Sequence, residues 1–526
     1  MHSAELVATA VLASVGALLV IAYRVRIPYP ILLVAGSALL ALIPGIPDLT
    51  LNPDAILVLA LPPLLYSAAF FTSLHDLRSN LRPIGLLAFG LVIVTTLTIG
   101  AVAHAVVGLD WNVAFVLGAV LSPTDPVAAT AIAGRLGAPR EYVSVVEGES
   151  LLNDATGLIV YKYAVAAVAT GSFSLGHASG DFVLSAAGGV GLGLLVGWVV
   201  AQFRLRIEDP PTEIAISLLT PYLAYLPAEA LHVSAVLAAV TAGIYLGWNA
   251  PRLISPATRI QAYAFWETIV FALNSALFVV VGLQLPGIVD AIRPAVPDGR
   301  LLRDAAALLA TVVAVRIAWV FLVTYAPWLA ARRLREPGAL PPITGTFLVG
   351  WTGMRGAVSL AAALAIPATL DAGGAFPDRA LVIFLVYSVI LGTLLLQGLT
   401  LPALIRAFHI GGDPIVEAAD RARILSAQAA IVRIDDLGGE EWVRDDTAAR
   451  MRGLYEFRLR RFEARLDEED DGILEERSLA FQRLRREALE AERAELLRLR
   501  SAGEISEEVM RQLERDLDLE DVRLDI

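Results

Sequence analysis

Long runs of apolar residues, almost free of charge, fill the chain up to about residue 410. Thirteen of these runs are close to or above the roughly 20 residues that a helix needs to cross a bilayer. The pattern therefore predicts thirteen transmembrane helices, called spans 1 to 13 below. The spans are predicted at residues 5–22, 29–46, 54–73, 83–107, 110–134, 141–170, 180–205, 212–228, 231–248, 260–285, 301–331, 342–368 and 378–406.

After this region the pattern becomes amphipathic, with apolar residues three and four apart between arginines and acids, as in FQRLRREALEAERAELLRLR (481–500). Such spacing is typical of soluble helices. We expect helices folded against each other or against a twin subunit, rather than a sensor domain. The predicted fold is an all-α polytopic membrane protein, with a transmembrane domain at 1–410 and an acidic cytoplasmic helical tail at 411–526.

Composition supports the membrane assignment, since 56% of the residues are hydrophobic, only 18% are charged, and the mean hydropathy is +0.66. The net charge of −12 resides mostly in residues 411–526, which hold 31 acidic and 20 basic side chains. This balance argues against nucleic-acid binding. Cysteine is absent and Lys162 is the sole lysine, so thiolate sites and a G-x-x-x-x-G-K-[ST] phosphate loop are excluded. Any driving energy must come from an ion gradient.

Arginines show on which side each loop lies, because cytoplasmic loops collect positive charge. Most of the arginines near the ends of the spans lie at or after the ends of odd-numbered spans, which predicts an external N-terminus and a cytoplasmic C-terminus. These arginines are Arg24, Arg26, Arg78, Arg82, Arg135, Arg140, Arg204, Arg206, Arg252, Arg259, Arg332, Arg333, Arg335 and Arg406.

Two spans carry helix-breaking sequences. In span 5, Pro123 and Pro126 flank Thr124 and Asp125, and proline removes a backbone donor and clashes with the preceding turn. In span 12, glycines loosen residues 352–356. The two spans run in opposite directions, and two crossed broken helices in two inverted repeats are typical of secondary transporters. The simpler alternative for span 5 is a proline kink in which Asp125 caps the following half-helix.

Oxygen-bearing side chains next to these breaks predict a cation site. Ser150 lies three and four residues before Asn153 and Asp154 on span 6, so it shares a helix face with each. With Asp125 and the Thr124 carbonyl they supply the oxygens that a small cation prefers. A carboxyl group in the membrane disfavours its charged form, so Asp154 is expected to hold either a proton or a cation. The alternative for Asn153 and Asp154 is a buried polar pair that only holds helices together.

Arg355 in span 12 needs a counter-charge, because an unpaired guanidinium in a membrane is costly. We expect a structural ion pair between Glu149 and Arg355, with Glu147 as the alternative partner.

Three motifs, SPTDPVAATAI, GESLLNDATGLIVY and GWTGMRGAVSLA, resemble those of bacterial sodium/proton antiporters of the monovalent cation:proton antiporter family 1. The resemblance covers residues 1–410. It implies that Asp154 is the transport carboxylate and that Asn153 marks electroneutral one-for-one exchange. It also implies that Asp125, Thr124 and Ser150 complete the site for the monovalent cation.

The resemblance further implies a structural pair of Glu149 with Arg355, a homodimer, and no cofactor other than the transported Na⁺ and H⁺. Spans 4–6 and 11–13 would form a moving core, spans 1–3 and 8–10 the dimerisation scaffold, and span 7 the linker. The tail also resembles bacterial members, which implies a bacterial plasma (inner) membrane protein in contact with membrane lipid. Many relatives carry an acidic residue where this chain has Ser67, so the preference among Na⁺, Li⁺ and K⁺ stays open.

The predicted function is thus antiport of monovalent cations and protons, serving cation and pH homeostasis, and not enzymatic catalysis. K⁺/H⁺ antiport is the nearest alternative. An intramembrane aspartyl protease using Asp125 and Asp154 is a weaker one, because N-D-A lacks the glycine flank expected of such proteases. A cation channel would require pore-lining rings of polar groups instead of two broken helices.

Overall fold

The computed structural model describes residues 15–22, 24–25, 28–43, 53–136, 140–171, 175–293, 296–333, 342–370, 374–408, 414–466 and 473–524. Within these ranges the protein is built of helices, and the single β-bridge joins Thr369 to Ala375. The chain divides into two compact units, Met1–Gly412 and Asp413–Ile526.

Helices of the first unit correspond in position to the predicted spans. Residues 15–22 are helical and belong to span 1, whereas residues 5–14 of that span lie outside the described residues. The helices that follow are α1 (Tyr29–Leu40), α2 (Pro53–Phe71), α3 (Leu74–Ser79), α4 (Leu81–Val107), α5 (Trp111–Leu121), α6 (Val127–Arg135), α7 (Arg140–Thr170), α8 (Leu175–Arg204), α9 (Pro210–Ala230), α10 (Ala235–Leu253), α11 (Pro256–Leu283), α12 (Leu285–Ile292), α13 (Asp298–Arg333), α14 (Ile343–Trp351), α15 (Ala357–Leu364) and α16 (Arg379–Ala407).

Five helical stretches in the described part of the chain are long and apolar enough to cross a membrane. They coincide with spans 4, 7, 10, 11 and 13. The five stretches are Leu81–Val107, Gly180–Arg204, Pro256–Asp290, Asp298–Trp328 and Arg379–Ala407.

Side-chain caps begin three successive helices of the first unit. Asp209 accepts a hydrogen bond from the Thr212 backbone N–H before α9, at 3.1 Å. Ser234 and Ser255 do the same at the starts of α10 and α11. Each cap satisfies one of the backbone donors that a helix start leaves open, and so fixes where the helix begins.

The two helix-breaking sequences do interrupt their helices. α5 ends at Leu121 and α6 begins at Val127, while α14 ends at Trp351 and α15 begins at Ala357. The two irregular segments meet, because the Asp125 backbone N–H donates to the Met354 carbonyl at 2.8 Å. Backbone groups that the breaks release are thereby partly satisfied inside the protein, as non-helical backbone at membrane depth requires.

The largest apolar cluster surrounds the place where the irregular segments 122–126 and 352–356 meet, here called the crossing. It contains most of α5, including Val116 and Leu117, together with buried residues of α16 such as Leu385 and Val386. Leu308 of α13 is also fully buried in it. The crossing therefore lies in a closely packed environment, which holds the interrupted backbone in place.

In the parts of the second unit that the structure describes, 414–466 and 473–524, there are four helices with charged surfaces, as the amphipathic pattern predicts. Phe462 is buried beneath the Arg423 guanidinium, which lies 5.3 Å from the ring centroid. Arg493 forms salt bridges with Asp518 and Asp521 on another helix. The four helices are α17 (Pro414–Leu437), α18 (Asp445–Leu466), α19 (Ile473–Ser501) and α20 (Glu507–Leu524).

Candidate functional site

A cavity of about 560 Å³, here called the site cavity, lies between the crossing and helices α2 and α11. Four of the five residues predicted for the cation site, all but Asn153, line it. The polar residues in its lining are Ser67, Thr124, Asp125, Thr130, Glu147, Ser150, Asp154, Tyr263, Glu267, Asn274 and Ser359.

Asp125 occupies the break between α5 and α6. Its Oδ1 accepts a hydrogen bond from the Val127 backbone N–H at 2.9 Å, so it caps α6 while it faces the cavity. Its Oδ2 lies against Gly356 of the other break, where an added Cβ would come within 1.6 Å of that oxygen. Gly356 is therefore needed for the carboxylate to take this position.

Thr124 connects the break to α7. Its hydroxyl donates to Glu149 Oε1 at 3.0 Å and accepts from Asn153 Nδ2 at 2.8 Å. The Ser150 hydroxyl donates to the Thr124 carbonyl at 3.1 Å. Three side chains on one face of α7 thus hold the irregular segment, and they fix the direction of its carbonyl groups.

Asp154 is 7% exposed and lines the cavity. It makes no hydrogen bond or salt bridge to another described residue. A buried carboxyl group without a partner is costly. Its position beside Asp125, Ser150 and Thr124 gives it a chemical reason to bind an ion or a proton from the cavity.

Glu149 is held by Arg316 of α13, not by Arg355. The Arg316 guanidinium donates to both carboxylate oxygens, at 2.5 and 2.9 Å, and both side chains are 1% exposed. It also donates to the Val349 carbonyl at 3.3 Å. The direct ion pair predicted between Glu149 and Arg355 is therefore not formed: the cation in contact with Glu149 is Arg316, and Arg355 interacts with Glu149 only through its charge.

Arg355 instead binds the carbonyl groups where two half-helices end. Its Nε donates to the Leu121 carbonyl at 2.9 Å, and its Nη1 donates to the Gly353 carbonyl. Its backbone N–H donates to Thr393 Oγ1 at 3.1 Å. Helix C-termini carry a partial negative charge, so two of them supply the compensation that we expected from one carboxylate.

Arg316 and Asn274 are two buried polar residues at the site that were not predicted from the sequence. Arg316 stands alone in the apolar run TVVAVRIAWV, and Asn274 stands in the apolar run FALNSALF. The rule that singled out Asp154 and Arg355, that polar residues inside a span are costly and functional, applies to both.

A second cavity of about 590 Å³ lies farther along α7. Of α7, Glu147, Ser150, Leu151 and Asp154 line the site cavity. The α7 residues that line the second cavity lie further along the helix, between Ala155 and Ala166, and Leu61 lines both cavities. The second cavity has a polar lining that includes Lys162, Asp181 and Glu229.

An apolar cluster, here called the barrier cluster, lies where the two cavities approach each other. Leu61 and Ala155 belong to it, and each also lines the second cavity. Its buried members are Leu61, Leu65, Ala69, Leu151, Ala155, Tyr225, Val236 and Val240.

Comparison with known proteins identifies the family. The family described as "Sodium/hydrogen exchanger, transmembrane" matches residues 9–407. The "Uncharacterized Na(+)/H(+) exchanger Rv2287" of Mycobacterium tuberculosis is 39% identical over 511 residues, which are 96% of this chain and 93% of that protein. The "Sodium, potassium, lithium and rubidium/H(+) antiporter" of Bacillus pumilus is 36% identical over 388 residues, 72% of this chain and 58% of that protein.

The fold also has a match among solved structures. The sodium proton antiporter MjNhaP1 from Methanocaldococcus jannaschii at pH 8 aligns with a TM-score of 0.57 at 19% sequence identity. The alignment covers 77% of this chain and 98% of that chain. The resemblance drawn from the three motifs is confirmed.

Proposed function

Because the chain belongs to the sodium/hydrogen exchanger family, we propose that it is a secondary antiporter in which Asp154 carries a monovalent cation and a proton in turn. The observation that carries this proposal is the carboxyl group of Asp154, which is buried, faces a cavity and has no partner among the described residues. The same oxygens cannot hold a proton and coordinate a cation at once, so the two ions compete for one site.

The neighbouring oxygens fit a small dehydrated cation. Asp154 and Asp125 supply the anionic oxygens, Ser150 a hydroxyl, and the Thr124 carbonyl a neutral one, all on the cavity wall. Hard cations prefer such oxygen ligands. Na⁺ is the leading substrate, and K⁺ and Li⁺ are alternatives that the name of the Bacillus pumilus relative includes.

Formal charges favour electroneutral one-for-one exchange. Glu149 and Arg316 cancel each other, and Asp125 and Arg355 have opposite charges, so these four residues contribute no net charge. Glu147 and Glu267 also line the cavity, and exchange at Asp154 leaves their charge unchanged. Asp154 is then neutral with either a proton or a monovalent cation, and carries one negative charge when empty. Moving a charge through an apolar layer is costly, so only the loaded site crosses readily.

The two cavities suggest how the site changes sides. The site cavity lies between the proposed core, spans 4–6 and 11–13, and the scaffold of spans 1–3 and 8–10. Movement of the core past the scaffold residues of the barrier cluster, such as Leu61, Tyr225 and Val236, would bring Asp154 from the site cavity to the second one, while span 7 links the two parts. The apolar barrier also argues against a continuous channel. We place the protein in a bacterial plasma membrane as a homodimer, with its N-terminus outside and its tail in the cytoplasm.

Reconstitution into proteoliposomes tests the function. Addition of Na⁺ should move protons in the opposite direction, and a K⁺-valinomycin clamp should leave the rate unchanged. Asp154→Asn should abolish exchange, because an amide cannot release a proton or neutralise a cation.

Asp290→Asn is the matched control, since this exposed carboxylate lines neither cavity. It should retain wild-type exchange. Exchange that survives in Asp154→Asn, or an inactive wild-type protein that is well folded, would refute the proposal.

A further inference from the structure

We propose that Asn274 is a scaffold-side ligand that accepts the cation on its way between the cavity mouth and Asp154, and so sets cation affinity from that side alone. The inference rests on the proposed antiport function and goes beyond it, because it assigns a residue outside the crossing to cation selection.

The scaffold wall of the site cavity is mostly apolar. From α2 and α11 it receives side chains such as Leu64, Phe71, Val270 and Leu277. Within the described ranges, these two helices contribute three buried residues with polar side-chain atoms to the wall, which are Ser67, Trp266 and Asn274. The Trp266 N–H is occupied, because it donates to Ser217 Oγ at 2.8 Å.

Asn274 is the better cation ligand of the two candidates. Asn274 is 6% exposed, and its side chain makes no hydrogen bond to any other described residue. The Ser67 hydroxyl already donates to the Leu64 carbonyl at 3.0 Å. The Asn274 amide lines the cavity, so its oxygen can contact an ion there, or the water that the ion retains, without breaking a hydrogen bond within the protein.

Helix geometry places Asn274 on a path to the site. Glu267, Val270 and Asn274 are three and four residues apart on α11 and all line the cavity, so they form one stripe. Glu267 is exposed, and Asn274 lies seven residues further along, which is about 10 Å at 1.5 Å per residue. A cation that has passed the Glu267 carboxylate thus meets the neutral Asn274 oxygen before the charged oxygens of the crossing.

A neutral ligand suits this position. A carboxylate on the scaffold would hold the cation by charge and oppose its departure with the core, whereas an amide oxygen replaces one water and lets the ion go. Asn274 belongs to the scaffold, so it contacts the ion only when the core faces the site cavity. Its effect on affinity is therefore expected at one membrane face.

The experiment measures exchange from each face separately. Glu267 lies nearer the Arg259 end of α11, which the arginine pattern predicts to be cytoplasmic. Everted vesicles therefore present this end of the cavity to added Na⁺, and right-side-out vesicles present the other membrane face. Asn274→Leu should raise the KM for Na⁺ about tenfold in everted vesicles and less than about twofold in right-side-out vesicles. The maximal rate should stay within about twofold of the wild type, because the lost contact weakens cation binding and not the later steps. Asn274→Ser, which keeps an oxygen, should recover part of the affinity.

Asn274→Asp extends the test, since a fixed charge should lower both the KM and the maximal rate in everted vesicles. The matched control is Asn249→Leu, because this scaffold amide lies outside the cavity and donates to the Tyr245 carbonyl at 2.8 Å. It should leave both KM values unchanged.

The outcomes separate this inference from the function itself. Wild-type exchange with equal KM effects of Asn274→Leu at both faces, a larger effect from the outer face, or no effect would overturn the role of Asn274 and leave antiport intact. A well-folded wild-type protein without exchange would overturn both. A size-exclusion profile that matches the wild type establishes that each variant is folded.

Discussion

Replacing Arg316 with methionine should destabilise the protein more than any other single change to the charges around the crossing. The substitution removes two charged hydrogen bonds to Glu149, at 2.5 and 2.9 Å, and leaves its carboxylate 1% exposed. Thr124 Oγ1 then remains as the nearer donor, at 3.0 Å, and Asn153 Nδ2 lies at 3.5 Å. Breaking a buried ion pair by removing one partner costs about 3–5 kcal/mol, because the other charge stays buried.

A double substitution separates the cost of an orphaned charge from the value of the pair. In Glu149→Gln with Arg316→Met neither charge remains, and the glutamine oxygen still accepts from the Thr124 hydroxyl. Replacement of a whole buried pair by neutral groups is often nearly neutral. We therefore expect the double variant to recover most of the loss.

Arg355 provides the matched control. It binds the Leu121 and Gly353 carbonyls and interacts with Glu149 only through its charge, so Glu149→Gln should rescue Arg355→Met much less than Arg316→Met. Thermal unfolding of the purified proteins, followed by size exclusion after heating, gives the midpoint temperature of each variant. Equal rescue of the two arginine variants, or strictly additive losses for Glu149 and Arg316, would refute the pairing that the structure shows.

Two further predictions concern the crossing. Gly356→Ala should weaken cation binding strongly, because the added Cβ would come within 1.6 Å of Asp125 Oδ2. Gly287→Ala is the control and should leave cation binding unchanged, because the space around Gly287 is open. Equal cation affinities of the two variants would contradict this prediction. Asn153→Asp should make exchange sensitive to an imposed membrane potential, because it adds a charge and loses the hydrogen bond donated to Thr124. A voltage-independent rate in the clamped liposome assay would contradict this prediction.

Local chemistry explains why the breaks were predictable from the sequence. Pro126 removes a backbone donor in span 5 whatever surrounds it, so the interruption after Leu121 follows from the chain itself. The irregular segment at 352–356 has no proline, but it contains two glycines, which disfavour a helix because they lose more backbone freedom than other residues. Its glycines admit close approach, since a Cβ on Gly353 would come within 2.0 Å of Arg316 Cδ.

Pairing between distant spans was not predictable in the same way. Glu149 and Arg316 are 167 residues apart, and only the packing of α13 against the crossing brings them together. The sequence showed that Arg355 needed compensation, but helix ends also provide negative potential, and no pattern of residues indicates that choice. The charges in the sequence therefore showed that Arg355 needs a compensating group, whereas the tertiary structure shows which groups compensate it.

The shared face on α7 was predicted only in part. Ser150 and Asp154, four residues apart, both line the site cavity, whereas Asn153 is bound to Thr124. Successive helix positions differ by about 100°, so Asn153 and its neighbour Asp154 point in different directions. Asn153 thus orients the irregular segment, and Asp154 is left facing the cavity.

Charge compensation at the crossing explains why one group alone decides what the site carries. Arg355 binds the carbonyl group that ends α5 and a carbonyl just beyond the end of α14, while Asp125 caps the start of α6, so the broken helix ends are compensated within the protein. Arg316 compensates the negative charge of Glu149. With every other charge fixed in place, the free energy of moving the core depends on whether Asp154 is occupied, and this couples the two ions without any contact between them.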